Sequence, residues 1–265
     1  MRERVIWGSI AILVFIPFLL MGGLVFQIFV GILAMIGVSE MFKMKGIEFL
    51  SFEGVLAMLA SFFLVVPLDL YLINLPASSN FLAFGLVAFL LLVGTVFSKE
   101  QSYSFEDAAY PIAASFYVGF GLHNLVNARI AGIDKVLLAV FIVWATDTGA
   151  YLIGMRFGKR KLIPHVSPNK TIEGSLGGVL TALLVSFVFM IFDKSVYAPH
   201  HFFVTLILVI IFSVFAQLGD LVESAIKRHF GVKDSGKLIP GHGGILDRLD
   251  SMIFVFPIMH LLGLF

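Results

Sequence analysis

Long apolar runs separated by short polar breaks make up most of this 265-residue chain, a pattern that predicts helices in a membrane. From Val5 to Ser39 there is no Asp, Glu, Lys or Arg. A straight helix over that stretch would be ~50 Å long against a hydrocarbon core of ~30 Å, so the chain must fold back. Met21-Gly22-Gly23 is the weakest place for a helix within it, and the turn is expected there. Further apolar runs lie at about 50–67, 80–97, 107–126, 136–155, 174–192, 202–224 and 249–265. The pattern therefore predicts an all-α integral membrane protein, a polytopic bundle of nine transmembrane helices. The N-terminal run has no small-residue cleavage site after it and is expected to be a retained first span.

Composition strengthens this picture. Hydrophobic residues make up 59% of the chain and charged residues 13%, where soluble domains carry roughly 25% charged residues; mean hydropathy is +1.02. There is no linker, low-complexity tract or internal repeat, so residues 1–265 are expected to form one membrane domain. Within it, 1–135 would supply packing, dimerisation and lipid access, and 136–265 would carry the chemistry. Zero cysteines exclude disulfides and thiolate chemistry. Any metal must rest on oxygen or imidazole ligands, which favours a hard cation such as Mg²⁺.

The net charge of +1 conceals an uneven distribution. With the N-terminus placed inside, fifteen of the 18 Lys and Arg residues fall on one side of the membrane, and only Arg129, Lys135 and Lys194 fall on the other. The positive-inside rule makes the richer side cytoplasmic and puts the C-terminus outside. Residues 156–173 and 225–248 then share the face where nucleotides are available. The basic residues form short clusters between apolar runs, and no nucleic-acid partner is expected.

Residues 220–250, DLVESAIKRHFGVKDSGKLIPGHGGILDRLD, concentrate the candidate chemistry. Asp220, Glu223, Ser224 and Lys227 share one face if the preceding span continues as a helix. Charges at the end of an apolar span are costly unless they face a polar cavity or each other. Then come Lys227-Arg228, Lys233-Asp234, the turn Pro240-Gly241-His242-Gly243-Gly244 and finally Asp247-Arg248-Leu249-Asp250. Gly-rich turns let backbone N–H groups approach phosphate oxygens, and flanking carboxylates can hold Mg²⁺ together with those phosphates. Asp147 lies inside the sixth apolar run and is a second functional candidate. Asn169-Lys170-Thr171-x-Glu173 follows it, with turn and helix-cap chemistry that would fix the position of Lys170.

The order Ser224-x₂-Lys227-Arg228-x₄-Lys233-Asp234-x₄-Ile239-Pro240-x-His242-Gly243-Gly244-x₂-Asp247-Arg248-x-Asp250 resembles the signature of the phosphatidate cytidylyltransferases, or CDP-diacylglycerol synthases. Asp147-Thr148-Gly149-Ala150-Tyr151 and Ser167-Pro168-Asn169-Lys170-Thr171-x-Glu173-Gly174 are similar to further segments of the same family. The resemblance implies transfer of a cytidylyl group from CTP to phosphatidate in the cell membrane, with a divalent metal and release of pyrophosphate. It implies a catalytic set of Asp220, Asp247, Lys227, Arg228, Lys233, Asp234, His242 and Arg248. Lys170, Ser224, Gly243, Gly244 and Asn169 would bind substrate. Asp220 and Asp247 would carry Mg²⁺, with room for a second cation, while Asp147, Glu223 and Asp250 are either further ligands or partners that hold the cations in place. No functional residue is implied before about residue 135. Close-packing glycines such as Gly174 and Gly178 make a homodimer a further expectation.

Two alternatives stand beside this reading. On the acids alone, Asp147, Asp220 and Asp247 would serve a cation-coupled transporter, which leaves the Lys-Arg, Lys-Asp and Gly-His-Gly-Gly elements unused. A cytidylyltransferase acting on another phosphorylated lipid would use the same residues.

Overall fold

The computed structural model describes residues 2–72, 75–76, 78–97, 103–241 and 243–265, with side chains from residue 7 onward. Among them run nine α-helices: α1 (Arg2–Met21), α2 (Gly23–Lys45), α3 (Phe52–Val65), α4 (Ser79–Phe97), α5 (Phe105–Ala131), α6 (Ile133–Phe157), α7 (Ile172–Phe192), α8 (Phe202–His229) and α9 (Leu246–Leu261). The charge-free first run becomes α1 and α2, and each later apolar run becomes one helix. Five, α2, α4, α6, α7 and α8, are long and apolar enough to cross a membrane, whereas the apolar stretches Trp7–Met21 and Phe52–Val65 are shorter. Among the described residues the fold is all-α apart from one small hairpin, β1 (Lys161–Ile163) paired antiparallel with β2 (Ser167–Thr171). By its packing it forms two compact units, one of residues 1–126 and 234–247, the other of 127–233 and 248–265.

In the first unit the charge-free run folds back at the expected place. Gly22 and Gly23 have φ of 64° and 53°, left-handed values that glycine adopts without steric cost. The reversal lays α1 along α2, with the rings of Phe18 and Phe29 stacked 4.1 Å apart. α2 ends at Gly46, whose φ is 77° and whose N–H bonds back to Lys43 O at 3.1 Å, while Ile47 N reaches Phe42 O at 3.0 Å. This is a Schellman-type stop. Gly31 and Gly119 admit their neighbours closely, since a Cβ on Gly31 would meet the Phe62 ring and one on Gly119 would meet Ser61 and Leu64. Tyr110 Oη donates to Met41 O at 2.6 Å, and Asn80 Nδ2 donates to Leu64 O at 3.1 Å. These bonds matter because, in hydrocarbon, helices associate through packing and polar pairs rather than through the hydrophobic effect.

The second unit is built on α6 and α7. Gly149, Gly174, Gly177 and Gly178 line their seam, and a Cβ at any of these positions would strike Thr181, Ala150, Ile153 or Thr146 respectively. Gly174 and Gly178 thus face α6 of their own chain, so they lend no support to a dimer. α8 joins through Thr146 Oγ1 and Ser213 Oγ, 2.7 Å apart, and through Gln217 Nε2, which donates to Ser175 O at 3.3 Å. At the other end Lys135 Nζ donates to the carbonyls of Ser195 (2.8 Å), Val196 (3.0 Å) and Ala198 (2.5 Å), replacing the water that a buried ammonium loses.

Candidate active site

The polar residues of the second unit collect around one cleft of about 420 Å³. Three elements present the charges. On α6, Asp147, Ala150, Tyr151, Gly154 and Met155 recur at helical spacing, so a single face of the helix lines the cleft. β2 supplies Asn169 and Lys170, and α8 supplies Gln217 and Asp220 one turn apart. Continuation of α8 to His229 keeps Asp220, Glu223, Ser224 and Lys227 on regular helix.

Lys170 Nζ lies 2.5 Å from Asp220 Oδ2, with the two side chains 28% and 31% exposed. Ser224 Oγ donates to the other oxygen, Oδ1, at 3.3 Å. An ion pair this open to its surroundings contributes only about 0–1 kcal/mol to stability, so it gives the fold little reason to place charge here. Asp147 feels the charges of Asp220, Lys170 and Arg248, and Asp250 those of Asp220, Asp147 and Lys227. The charged residues that line the cleft are thus two carboxylates, Asp147 and Asp220, and one cation, Lys170.

Lys170 is held by its own connection. Thr171 caps α7, its Oγ1 accepting from Gly174 N at 3.1 Å. Glu173 turns back and accepts from Lys159 N at 3.0 Å and Arg160 N at 3.1 Å, while Ile172 N donates to Arg160 O at 2.9 Å. These bonds, together with the pairing of Lys161 with Thr171, make residues 158–171 an ordered hairpin where a loop was expected.

The remaining candidates fall into two groups. In the second unit Lys227 Nζ donates to Glu223 Oε2 at 2.5 Å, and the Glu223 side chain is wholly buried. Glu223 therefore holds Lys227 rather than facing the cleft. Arg228 Nη1 donates to Val232 O at 3.2 Å behind the end of α8; Lys233 and Arg248 are exposed. Asp250 Oδ1 accepts from Ser251 N at 2.6 Å, and the close approach of its carbonyl to Gly219 explains the glycine there.

Asp234, Gly243, Gly244 and Asp247 belong to the first unit; His242 lies outside the described residues. Asp247 Oδ2 accepts from Ser235 N, Ser235 Oγ and Gly244 N, each at 2.8 Å. Gly243 turns the segment with a φ of 83°, and its carbonyl accepts from Ile239 N at 2.9 Å. A second carboxylate, Glu40 at the end of α2, accepts from Ile245 N and Leu246 N at 2.9 Å each and from Ser235 Oγ at 3.1 Å. The single hydroxyl hydrogen of Ser235 is shared between the two acids. Glu40 is only 3% exposed. It was missed because no motif reaches it. The available signal was simply an acid placed directly after a charge-free apolar run, where an ionisable group needs a partner.

Among the described residues no group of three or more His, Asp or Glu side chains is arranged to hold a metal ion. Of the five acids expected to hold metal, Asp147, Asp220, Glu223 and Asp250 belong to the second unit and Asp247 to the first.

Several helices long and apolar enough to cross a membrane define a polytopic membrane protein. The chain belongs to the cytidylyltransferase family, whose model matches residues 2–265. It is 45% identical over 263 residues to a phosphatidate cytidylyltransferase of Staphylococcus saprophyticus, covering 99% of this chain and 98% of that protein. Enzymes of the same name from Staphylococcus epidermidis and Staphylococcus aureus are 44% and 43% identical, again over 99% of this chain and 98% of theirs.

Proposed function

We propose that this protein transfers the cytidylyl group of CTP to phosphatidate, forming CDP-diacylglycerol and releasing pyrophosphate, at the cytoplasmic face of the cell membrane. The observation that carries the chemistry is the Lys170–Asp220 pair beside Asp147 in a cleft whose wall also includes the apolar side chains of Ala150, Tyr151, Met155 and Leu162. Such a cleft meets both needs of the reaction: apolar surface for a lipid, and charge for two phosphates. The fifteen-to-three bias of Lys and Arg supports the cytoplasmic assignment.

In the reaction an oxygen of the lipid phosphate attacks the α-phosphorus of CTP. The bond from that phosphorus to the oxygen bridging the β-phosphate breaks, and pyrophosphate leaves with the electron pair. The attacking oxygen is already ionised, so no general base is required. The barrier that the protein can lower is the repulsion between two anions, and preorganised charge is the means. Lys170, which sits on Asp220, engages the lipid phosphate, and Arg248 and Lys233 add positive charge to the same unit. Asp220 and Asp147, with the Ser224 hydroxyl, are an all-oxygen donor set of the kind that suits Mg²⁺. With no cluster of three such ligands among the described residues, the ion would take one or two ligands from the protein and the rest from phosphate oxygens and water. When bound, Mg²⁺ supplies charge stabilisation to the departing pyrophosphate.

The test is purified protein with phosphatidate, CTP and Mg²⁺, assayed for CDP-diacylglycerol. Asp220→Asn should lower the rate by about 10²–10³-fold, the scale for losing one preorganised electrostatic group, while the protein still elutes as a folded species in detergent. No product from the wild-type protein under any divalent metal would refute the assignment, and full activity in the Asn variant would remove Asp220 from the site.

A further inference from the structure

The hairpin that carries Lys170 into the cleft has a second surface that the reaction does not use. Arg156, Lys159, Arg160 and Lys161 are all exposed, none of them lines the cleft, and among the described residues none forms a salt bridge. The one acid between residues 156 and 173 is Glu173. Its carboxylate bonds the backbone N–H groups of Lys159 and Arg160, so it fixes their backbone while their side chains stay exposed. Among the described residues the four cations thus sit at an ordered hairpin with no salt bridge to neutralise them.

The surroundings identify the anion. The hairpin joins α6 to α7, two helices long and apolar enough to cross a membrane, so it sits where both leave the hydrocarbon. Just below it Tyr151 and Met155 of α6 are 67% and 68% exposed, and Leu176 of α7 is 62% exposed. Leu162, next to Lys161, turns into the cleft. Positive charge above, exposed apolar side chains below and a cleft between them fit an amphiphile whose headgroup is anionic. A free nucleotide would use the charge and leave the apolar belt idle.

We propose that Arg156, Lys159, Arg160 and Lys161 form a capture surface for anionic lipid headgroups, which gathers the phosphomonoester lipid at the mouth of the cleft before Lys170 takes its phosphate. This rests on the cytidylyltransferase reading for the identity of the lipid, but not for the surface itself. The attraction is electrostatic and sums over the charges, each basic residue at an anionic surface raising lipid occupancy ~5-fold.

The test is the triple variant Lys159→Gln/Arg160→Gln/Lys161→Gln, which removes charge and keeps the backbone bonds to Glu173. In neutral-detergent micelles, where orientation in a bilayer plays no part, the apparent KM for phosphatidate, as mole fraction, should rise 10-fold or more. The KM for CTP and kcat should stay unchanged. Native mass spectrometry without CTP should show the variant retaining less phosphatidate than wild type, a readout that needs no turnover. A raised KM for CTP alone would make the surface a nucleotide site, and unchanged KM values with equal lipid retention would leave the charges to orient the chain; either result overturns the proposal. A wild-type protein that retains phosphatidate through these residues but makes no CDP-diacylglycerol would sink the assigned reaction and keep the surface.

Discussion

Two polar segments of equal length, residues 158–171 and 234–247, are held in opposite ways. The first is fastened locally by Glu173, Thr171 and Ile172, all within fifteen residues of what they bind, and the bonds of Glu173 are exposed. The second is fastened by two acids, Asp247 at its end and Glu40 from about 200 residues away, and the bonds of Glu40 to Leu246 N and Ser235 Oγ are buried. Both contain glycine, proline and a hydroxyl, but 158–171 carries four Lys or Arg and no acid, whereas 234–247 carries one Lys and two Asp. The difference that matters for stability is solvent access. Water can replace a lost acceptor in the hairpin and cannot do so readily in the other segment, so the same chemistry costs far more to remove there.

That contrast can be broken most forcefully at Glu40. Glu40→Ala leaves two backbone N–H groups without their acceptor, at a cost of ~3 kcal/mol. The apparent melting temperature in detergent should fall, with proteolysis opening 234–247 before any helix. Glu40→Gln, which keeps one acceptor oxygen, should recover part of the loss. A melting temperature equal to wild type for Glu40→Ala would mean that Asp247 alone holds the segment. Next in size is Gly244→Ala, whose Cβ would collide with both Glu40 oxygens and Ser235 Oγ; a loss of ~2 kcal/mol is expected from such overpacking, measured in the same thermal assay. Smallest is Glu173→Ala. Its bonds face solvent, so stability should drop by ~1 kcal/mol or less, and the sensitive readout is hydrogen exchange, with the amides of Lys159 and Arg160 losing protection. An effect of Glu173→Ala as large as that of Glu40→Ala would erase the distinction drawn between the segments.

The same contrast explains what was legible in the sequence. Helix positions were, because the length of an apolar run and the glycines at 22, 23 and 46 act within a few residues. The gathering of Asp147, Lys170 and Asp220 was foreshadowed by helical spacing along α6 and α8 and by cap residues around Lys170. The hairpin was hidden, because Ser167-Pro168-Asn169 reads as a turn and strands of three and five residues are set by pairing rather than by propensity. Glu40 was hidden for a different reason: its partners at 235, 245 and 246 are joined to it only by the fold. Asp247, expected to hold metal, also spends Oδ2 on its own segment, a use that no linear spacing announces.

The glycine seam between α6 and α7 sets the tempo of the cleft. With backbone nearly touching the neighbouring helix at Gly149, Gly174 and Gly178, the two helices have no looser spacing to pass through, and close-packed interfaces resist compression and shear. The back wall therefore keeps still while lipid and nucleotide come and go. Any adjustment to an entering substrate is then expected in the groups held by solvent-exposed or half-exposed contacts, the Glu173 bonds to the hairpin and the Lys170–Asp220 bridge.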